Sequence, residues 1–339
     1  MEIKSIFKYN EKININENFN LKLIDKKINQ NSKKFYIQSK TTILNHNNTI
    51  SSISVFPSGK IISVSWDCTI KIYDYINYKI IQNIKNAHDW NINYIIIKNE
   101  NIFITCSSDK SIRIWIKNEN NFEINQIIKN AHNEAIYKVI ICSNGNLISC
   151  SNDKMIKIWK ENNSKYELVS RFENDDFVYS ILVLEDKNIL ISSGDFGTNF
   201  LHININNLKE IKIDEYFKGV YCCFWNSLQR INENNIIIGS EDSLTIISIS
   251  EKKIIKKIDI PFQCNGIIII KEKGIFLIGG LSNDIMIYRI NDYENIEIIK
   301  NAHNDFIIGF NRFRDNLFAS FSKDKTIKIW SFYPIKINR

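Results

Sequence analysis

Lys85-Asn86-Ala87-His88 and Ser107-Ser108-Asp109-Lys110 decide the fold of this 339-residue chain, because both stretches return along it. Related copies occupy residues 129–132 with 151–154, and 300–303 with 322–325. In each copy the histidine precedes the aspartate by 21 positions. Four pairs share this spacing: His46 and Asp67, His88 and Asp109, His132 and Asp153, and His303 and Asp324. A unit that returns roughly every 40 to 47 residues is typical of stacked four-stranded units, so the chain is a repeat protein.

Each unit has the sequence pattern of β-strands. Apolar and polar residues alternate, as in Ile112-Arg113-Ile114-Trp115, and this is the period of a strand. Turn sequences such as Ser58-Gly59-Lys60 and Asn144-Gly145-Asn146 separate the strands and suit hairpins. Alignment on the turn residue gives seven units, at Asp67, Asp109, Asp153, Asp195, Asp242, Ser282 and Asp324. The sequence therefore predicts an all-β, seven-bladed β-propeller.

The two ends of the repeat array predict how the ring closes. One apolar strand, residues 35–44, precedes His46, whereas only nine residues follow Trp330. We therefore expect residues 35–44 to pair beside 325–332 as the outer strand of the last blade, which leaves no open edge.

Domain boundaries follow from this closure. The propeller is predicted over 33–333, after a basic arm over 1–32 that is flexible or adds a strand, and before a tail over 334–339. The fifth unit is the longest, and we expect its extra residues between Trp225 and Asn235.

Composition excludes several classes of protein. Apolar residues make up 44% of the chain and charged residues 24%, the balance of a globular protein with a substantial core. The net charge of +7 resides mostly in residues 1–40, where nine lysines face four acidic residues. A phosphate-binding face needs clustered Lys and Arg, so nucleic-acid or membrane binding is favoured only through this arm. Charges interrupt each apolar run well before membrane-spanning length, and no transmembrane segment is predicted.

The seven cysteines form no C-x-x-C pair, which argues against both disulfides and a zinc site. Buried thiols in a reducing compartment are the simpler interpretation. We expect the protein in the cytoplasm, with the nucleus as the other compartment.

The recurring His, Asp and aromatic positions resemble the WD-repeat β-propeller family over residues 35–332. The departures are that no Gly precedes the four histidines and that no Asp follows Trp115, Trp159 or Trp330. The resemblance implies a buried network of His, strand hydroxyl, Asp and Trp within each intact blade. The implied sets are His88, Ser107, Asp109 and Trp115; His132, Ser151, Asp153 and Trp159; and His303, Ser322, Asp324 and Trp330. Blades one, four, five and six lack at least one member, so we expect them to be less rigid.

Catalysis is not predicted. Ser, His and Asp recur at structural spacing, and the sequence contains no G-x-S-x-G elbow, phosphate loop or Gly-rich dinucleotide fingerprint. We therefore predict no enzyme, no cofactor and no metal site.

By the same resemblance, the residue five positions beyond each His or its equivalent faces the top of the central channel. Three consecutive blades place Tyr there, and the residue before each Asp turn is a second top-face position. The predicted protein-binding residues are Tyr137, Tyr179, Tyr221, Trp66, Trp90, Asn93, Phe177, Phe306, Asn152 and Lys323. Clustered Tyr and Trp are typical of binding hot spots. The alternative is that these aromatics close the channel mouth by packing on one another.

The predicted function is a non-catalytic scaffold or adaptor that binds one or more proteins or peptides within a multiprotein complex. The alternative is a phosphate-binding propeller that uses its basic arm on nucleic acid or a membrane.

Overall fold

Twenty-eight strands form the described part of the chain in this computed structural model, which covers residues 35–44, 46–163, 165–195, 197–203, 211–313 and 316–334. The predicted arm over 1–32 and all of the predicted tail beyond Pro334 lie outside these residues. Two 3-10 turns, Glu185–Lys187 and Lys271–Lys273, accompany the strands.

The strands group into seven antiparallel sheets of four, which are the blades. Blade one is β2 (Ile50–Val55), β3 (Ile61–Ser65), β4 (Ile70–Tyr73) and β5 (Ile80–Ile84); blade two is β6 (Ile92–Asn99), β7 (Ile102–Ser107), β8 (Ile112–Asn118) and β9 (Asn121–Ile128). Blade three is β10 (Ile136–Ile141), β11 (Leu147–Ser151), β12 (Met155–Asn162) and β13 (Lys165–Glu173); blade four is β14 (Ser180–Leu184), β15 (Ile189–Ser193), β16 (Gly197–Ile203) and β17 (Ile211–Lys218). Blade five is β18 (Leu228–Arg230), β19 (Asn235–Gly239), β20 (Ser243–Ser248) and β21 (Lys253–Asp259); blade six is β22 (Cys264–Ile270), β23 (Ile275–Gly280), β24 (Ser282–Arg289) and β25 (Asn295–Ile299). Blade seven is β26 (Ile307–Arg312), β27 (Leu317–Ser322), β28 (Thr326–Pro334) and β1 (Phe35–Leu44).

The first strand of the chain closes the ring, as the sequence predicts. β1 pairs antiparallel with β28, placing Ser39 opposite Trp330 and Ile43 opposite Ile327. One register shift, between Ser39 and Thr41, interrupts the ladder. The predicted fold and its closure are both confirmed.

Seven apolar cores lie between neighbouring blades, because the inner strands of each blade are buried on both faces. The core between blades seven and one packs Ile50 and Ile53 against Ala319 and Phe321. Phe321 is 1% exposed, and burying a side chain of this kind stabilises the fold by about 1.5–3 kcal/mol. Closure therefore rests on side-chain packing as well as on the β1–β28 ladder.

The extra residues of the fifth unit do not lie between Trp225 and Asn235, so that prediction is wrong. Four residues, 231–234, join β18 to β19, and four also join β14 to β15. The additional length lies earlier, in the seven residues 204–210 between β16 and β17 and in the nine residues 219–227 between β17 and β18. We call residues 219–227 the plug segment.

Candidate functional site

A continuous hydrogen-bond chain crosses blade two. The indole Nε1 of Trp115 donates to Thr105 Oγ1 at 2.9 Å, and Thr105 Oγ1 lies 2.8 Å from His88 Nε2. His88 Nδ1 lies 2.8 Å from Asp109 Oδ2. With a neutral imidazole protonated on Nδ1, every donor in this chain meets one acceptor. All four groups are thereby satisfied inside the protein.

The strand hydroxyl of this network is not the one predicted from the sequence. Thr105, Ser149 and Ser320 bridge the imidazole and the indole, whereas Ser107, Ser151 and Ser322 lie two positions further along the strand. Ser107 instead donates to the carbonyl of Asn91 at 2.8 Å and accepts from the backbone N–H of Asp109. The prediction was wrong because positions i and i+2 share one face of a strand. The discriminating signal is a hydroxyl ten positions before each Trp.

Blade one contains a complete network although it has no Trp. His46 lies 2.9 Å from Asp67 and 2.7 Å from Ser63 Oγ, and this oxygen lies 3.1 Å from the hydroxyl of Tyr73. Blade one therefore lacks the Trp, as expected, but Tyr73 takes the place of the indole and completes the network.

The Asp turn is fixed by its own backbone. Asp109 Oδ1 accepts from the N–H of Ser111 at 2.9 Å, and Oδ2 accepts from the N–H of Asp89 at 3.0 Å. Lys110, between Asp109 and Ser111, has a φ of 67°. The residues that follow Asp67, Asp153 and Asp324 also have positive φ. The carboxylate therefore holds both the turn and the loop that carries His88.

Burial and the His–Asp hydrogen bond shift the pKa of each of these two residues in opposite directions. Burial lowers the pKa of His88 despite the opposing effect of Asp109. Burial alone would raise the pKa of Asp153, but its hydrogen bond to His132 and the charge there outweigh it and set the pKa at about 2. The pKa values of His46, His132 and His303 are lowered in the same way. These histidines are structural groups held neutral in the folded protein.

The face carrying the His loops and the Asp turns is the top face, and two of the predicted tyrosines meet there. The rings of Tyr137 and Tyr179 lie 5.0 Å apart. Tyr137 also stacks on Trp225 at 5.7 Å, and Trp225 stacks on Phe224 at 4.0 Å. Trp225 and Phe224, which belong to the plug segment, were missed by the sequence reasoning.

Tyr221 does not share the position of Tyr137 and Tyr179. Counting along the paired strands places Asn226 there, because Leu228 pairs with Ile238 in blade five as Val139 pairs with Ser149 in blade three. The sequence prediction of Tyr221 counted 42 positions forward from Tyr179, across connections whose lengths differ between blades. Counting 16 positions back from the Asp turn crosses only the inner hairpin and gives Asn226.

The plug segment spans the central channel. Trp225, from blade five, donates its indole N–H to the carbonyl of Ser51 in blade one, and its own carbonyl accepts from Ser180 in blade four. Asn226 forms an isolated bridge with Gly266 of blade six and lies 3.5 Å from the carbonyl of Ile308 in blade seven. Trp225 is 4% exposed. The channel is thus closed beneath its top rim.

Asn93 is buried, so it cannot serve as the surface contact that was predicted. Its amide donates to the carbonyl of Ile136 at 2.8 Å, and Asn265 reaches Ile307 in the same way. Ser51 likewise bonds the carbonyl of Ile92. At this position a short polar side chain joins one blade to the next, which explains why Asn93 is 2% exposed.

The other predicted residues lie along the rim. Trp90 is 64% exposed, and Lys323 is exposed with its Nζ 4.7 Å from the ring centre of Phe306. Phe177 lies beneath Lys154 at 5.8 Å. Trp66 and Asn152 are half-buried, and the indole N–H of Trp66 has no hydrogen-bond partner among the described residues.

Acidic residues surround the tyrosines. The hydroxyl of Tyr179 lies 3.4 Å from Asp195 Oδ2, and burial together with that carboxylate raises the pKa of Tyr179. Burial and the neighbouring Asp176 raise the pKa of Asp195. The pKa of Tyr221 is raised by burial and by Glu241. These phenols remain protonated donors near neutral pH.

Within the described residues, no group of three or more His, Cys, Asp or Glu side chains is placed to hold a metal ion. Nor does that part of the chain contain a helix of the length and apolarity that crossing a membrane requires.

Comparison with known families agrees with this architecture. The family model for the WD domain, G-beta repeat, matches residues 37–74, 79–115 and 125–160. These three segments are WD repeats, the repeat type that the sequence resembles. Each matched WD repeat begins within one residue of the outer strand of one blade and ends within one residue of the third strand of the next, so the repeat and the blade are out of phase. Propellers of this family typically mediate protein–protein interaction.

One curated relative of this WD-repeat chain is Lissencephaly-1 homolog 1 of Paramecium tetraurelia, which is 37% identical over 79 residues. The match covers 22% of this chain and 19% of that protein. The chain thus matches about a fifth of the length of this relative, which supports the repeat family alone.

Proposed function

We propose that the protein is a non-catalytic scaffold that binds another protein or a peptide through its top face. The observation that carries this proposal is the partly exposed aromatic rim around a closed channel. Trp90 is largely exposed, while Phe306 and Phe177 each lie under a lysine. Large aromatic side chains bury much area at small entropic cost, which suits a hot spot.

The plug segment changes which residues can contact a partner. Tyr137 and Tyr179 pack on each other, and Tyr137 also packs on Trp225, so part of each ring is already used inside the protein. A partner therefore meets the outer parts of these rings, together with Trp90 and Phe306. We infer a partner that lies across the rim, because the plug blocks entry into the channel from this face.

We also propose that the protein acts in the reducing cytoplasm. All seven cysteines are free, and five of them are buried. Persistent free thiols are the ordinary state in that compartment. The alternative function, phosphate binding through residues 1–32, stays a prediction, because that segment lies outside the described residues.

The test is affinity capture with the Trp90→Ala, Phe306→Ala double variant beside the wild-type protein. Both side chains are at least partly exposed, so we expect the variant to fold and to lose its principal partner. The matched control is Ile254→Ala, an exposed apolar residue on β21. An unchanged set of captured proteins in the double variant, at equal stability, contradicts a top-face docking site.

A further inference from the structure

Glutamine side chains join the outer strands of neighbouring blades. Gln82 in blade one donates from Nε2 to the carbonyl of Phe122 in blade two at 3.0 Å, and its Oε1 accepts from the N–H of Phe122 at 2.9 Å. Gln126 in blade two makes the same two bonds to Tyr166 in blade three, at 2.9 and 2.7 Å. We call this two-bond contact the clamp. A carboxamide suits it because one side chain supplies both a donor and an acceptor.

Strand register places Glu297 at the clamp position of blade six. Gln82 and Gln126 each pair with the last residue of the third strand before its register shift. Glu297 pairs with Ile287, which is the equivalent residue of β24. Blade four carries Glu215 at this position, but β21 of blade five begins one residue too late to offer the equivalent backbone. Glu297 is therefore the acidic counterpart of the two clamp glutamines.

The backbone that faces Glu297 belongs to Ile37 in β1, the strand that closes the ring. Ile37 pairs two positions beyond the Trp of its blade, as both clamped residues do. It packs in the core between blades six and seven beside Ile299, two positions after Glu297. The clamped residues of blades two and three likewise pack beside the residues two positions after their glutamines, Ile84 and Ile128. The Glu297 carboxyl group thus lies within reach of the N–H and the carbonyl of Ile37.

The protonation state of Glu297 decides whether it can form the clamp. An ionised carboxylate offers only acceptors, so it cannot donate to the carbonyl of Ile37 and repels it. A protonated carboxyl group has one O–H donor and one C=O acceptor, as a carboxamide has its own donor and acceptor. In the structure Glu297 is half-buried, and its carboxyl group has no hydrogen-bond or ion-pair partner among the described residues.

No neighbouring charge compensates this carboxylate. Burial raises the pKa of Glu297 above its ordinary value, and burial alone causes the shift. Lys300 is paired with Asp284, and Arg289 with Glu294. The titratable groups on the adjoining strands and turn, none of which contributes to the shift, are Asp284, Tyr288, Arg289, Glu294, Lys300, Tyr36, Lys40, Lys328, Tyr333, Lys271, Glu272 and Lys273.

We propose that Glu297 is a pH-sensitive clamp between blades six and seven. When protonated, its O–H donates to the carbonyl of Ile37 and its C=O accepts from the N–H of Ile37, so that β25 holds β1 as the glutamines hold β9 and β13. When ionised, it releases both bonds. Because β1 closes the ring, closure is strengthened as the pH falls. This device lies away from the top face and does not depend on the protein partner.

The test is the melting temperature of the full-length protein and of its Glu297→Gln variant at pH 8 and pH 5. The pKa of Glu297 is higher in the folded chain than in the unfolded one, so its contribution to stability is present at low pH and is lost as the pH rises through the folded value. We expect Glu297→Gln to melt about 2–4 °C above wild type at pH 8, and this difference to shrink at pH 5. The four buried histidines are common to both proteins and cancel in the comparison.

Two matched variants separate the clamp from the mere removal of a buried charge. Glu297→Leu also removes the charge but makes neither bond, so the amide proton of Ile37 should exchange about tenfold faster with solvent in this variant than in Glu297→Gln. Gln126→Glu places the carboxyl group in the clamp of blade two and should lower the melting temperature at pH 8 more than at pH 5. Equal exchange of the Ile37 amide in the two Glu297 variants overturns the proposal. A difference between Glu297→Gln and wild type that does not change with pH overturns it as well.

Discussion

The bridging hydroxyl of blade two allows a sharp test of the network. Thr105→Val preserves the shape of the side chain but removes the oxygen that accepts from Trp115 and contacts His88. Both partners are buried and have no alternative partner at this position, and each unsatisfied buried group costs about 1–3 kcal/mol. We therefore expect the free energy of unfolding to fall by about 2–6 kcal/mol, measured by urea denaturation.

A second observable separates Thr105 from Ser107, the hydroxyl that the sequence suggested. In Thr105→Val the indole N–H of Trp115 should shift in a proton–nitrogen NMR spectrum and exchange faster with solvent. Ser107→Ala also removes hydrogen bonds, to Asn91 and from Asp109, but it should leave the indole resonance in place. A Thr105→Val protein within about 0.5 kcal/mol of wild type, the usual range for a neutral substitution, refutes the network as described. An indole shift in Ser107→Ala alone would refute it equally.

Three further predictions concern other parts of the ring. First, burial lowers the pKa of four histidines below 6.5: His46, His88, His132 and His303. Below about pH 6.5 the unfolded chain therefore binds more protons than the folded one, and the free energy of unfolding should fall as the pH drops. A melting temperature that stays constant from pH 7.5 to 5 contradicts this prediction. Second, Trp225→Ala should lower the free energy of unfolding in urea by about 3–5 kcal/mol, because it leaves a cavity on the channel axis and removes the hydrogen bond to Ser51. A loss below 1 kcal/mol would show that the plug segment does not stabilise the propeller. Third, Tyr73→Phe should cost about 0.5–1.5 kcal/mol by removing the single bond to Ser63, and a neutral result would mean that the tyrosine does not replace the indole.

The seven-bladed fold was predictable because its signals are local and repeated. The spacing of 21 between His and Asp is set by one loop, one hairpin and one turn, and the structure joins these residues in four blades. Closure was also predictable, since a strand before His46 has no other blade to complete. These inferences required only counting within single blades.

The candidate site was less predictable because it depends on contacts between blades. A strand pattern cannot choose between Thr105 and Ser107, which share one face of β7. Tyr221 was misplaced because the count crossed segments 204–210 and 219–227, whose lengths differ from those of the equivalent connections. Trp225 gave no repeat signal at all, since it occurs once and its partner Ser51 is 174 positions away.

The plug segment and the blade networks occupy complementary parts of the ring. Blades four, five and six have no histidine in the loop that enters each blade, and Asn174 of blade four bonds Asn199 where an intact blade has its imidazole. The plug segment arises in this same sector and bonds blades one and four through Trp225, and blade six through Asn226. Hydrogen bonds from the plug segment thus connect blades four to six, which have no His–Asp network, to blade one, which has one. The sector need not be less rigid than blades one to three, because its restraint comes from the channel axis instead of from each blade.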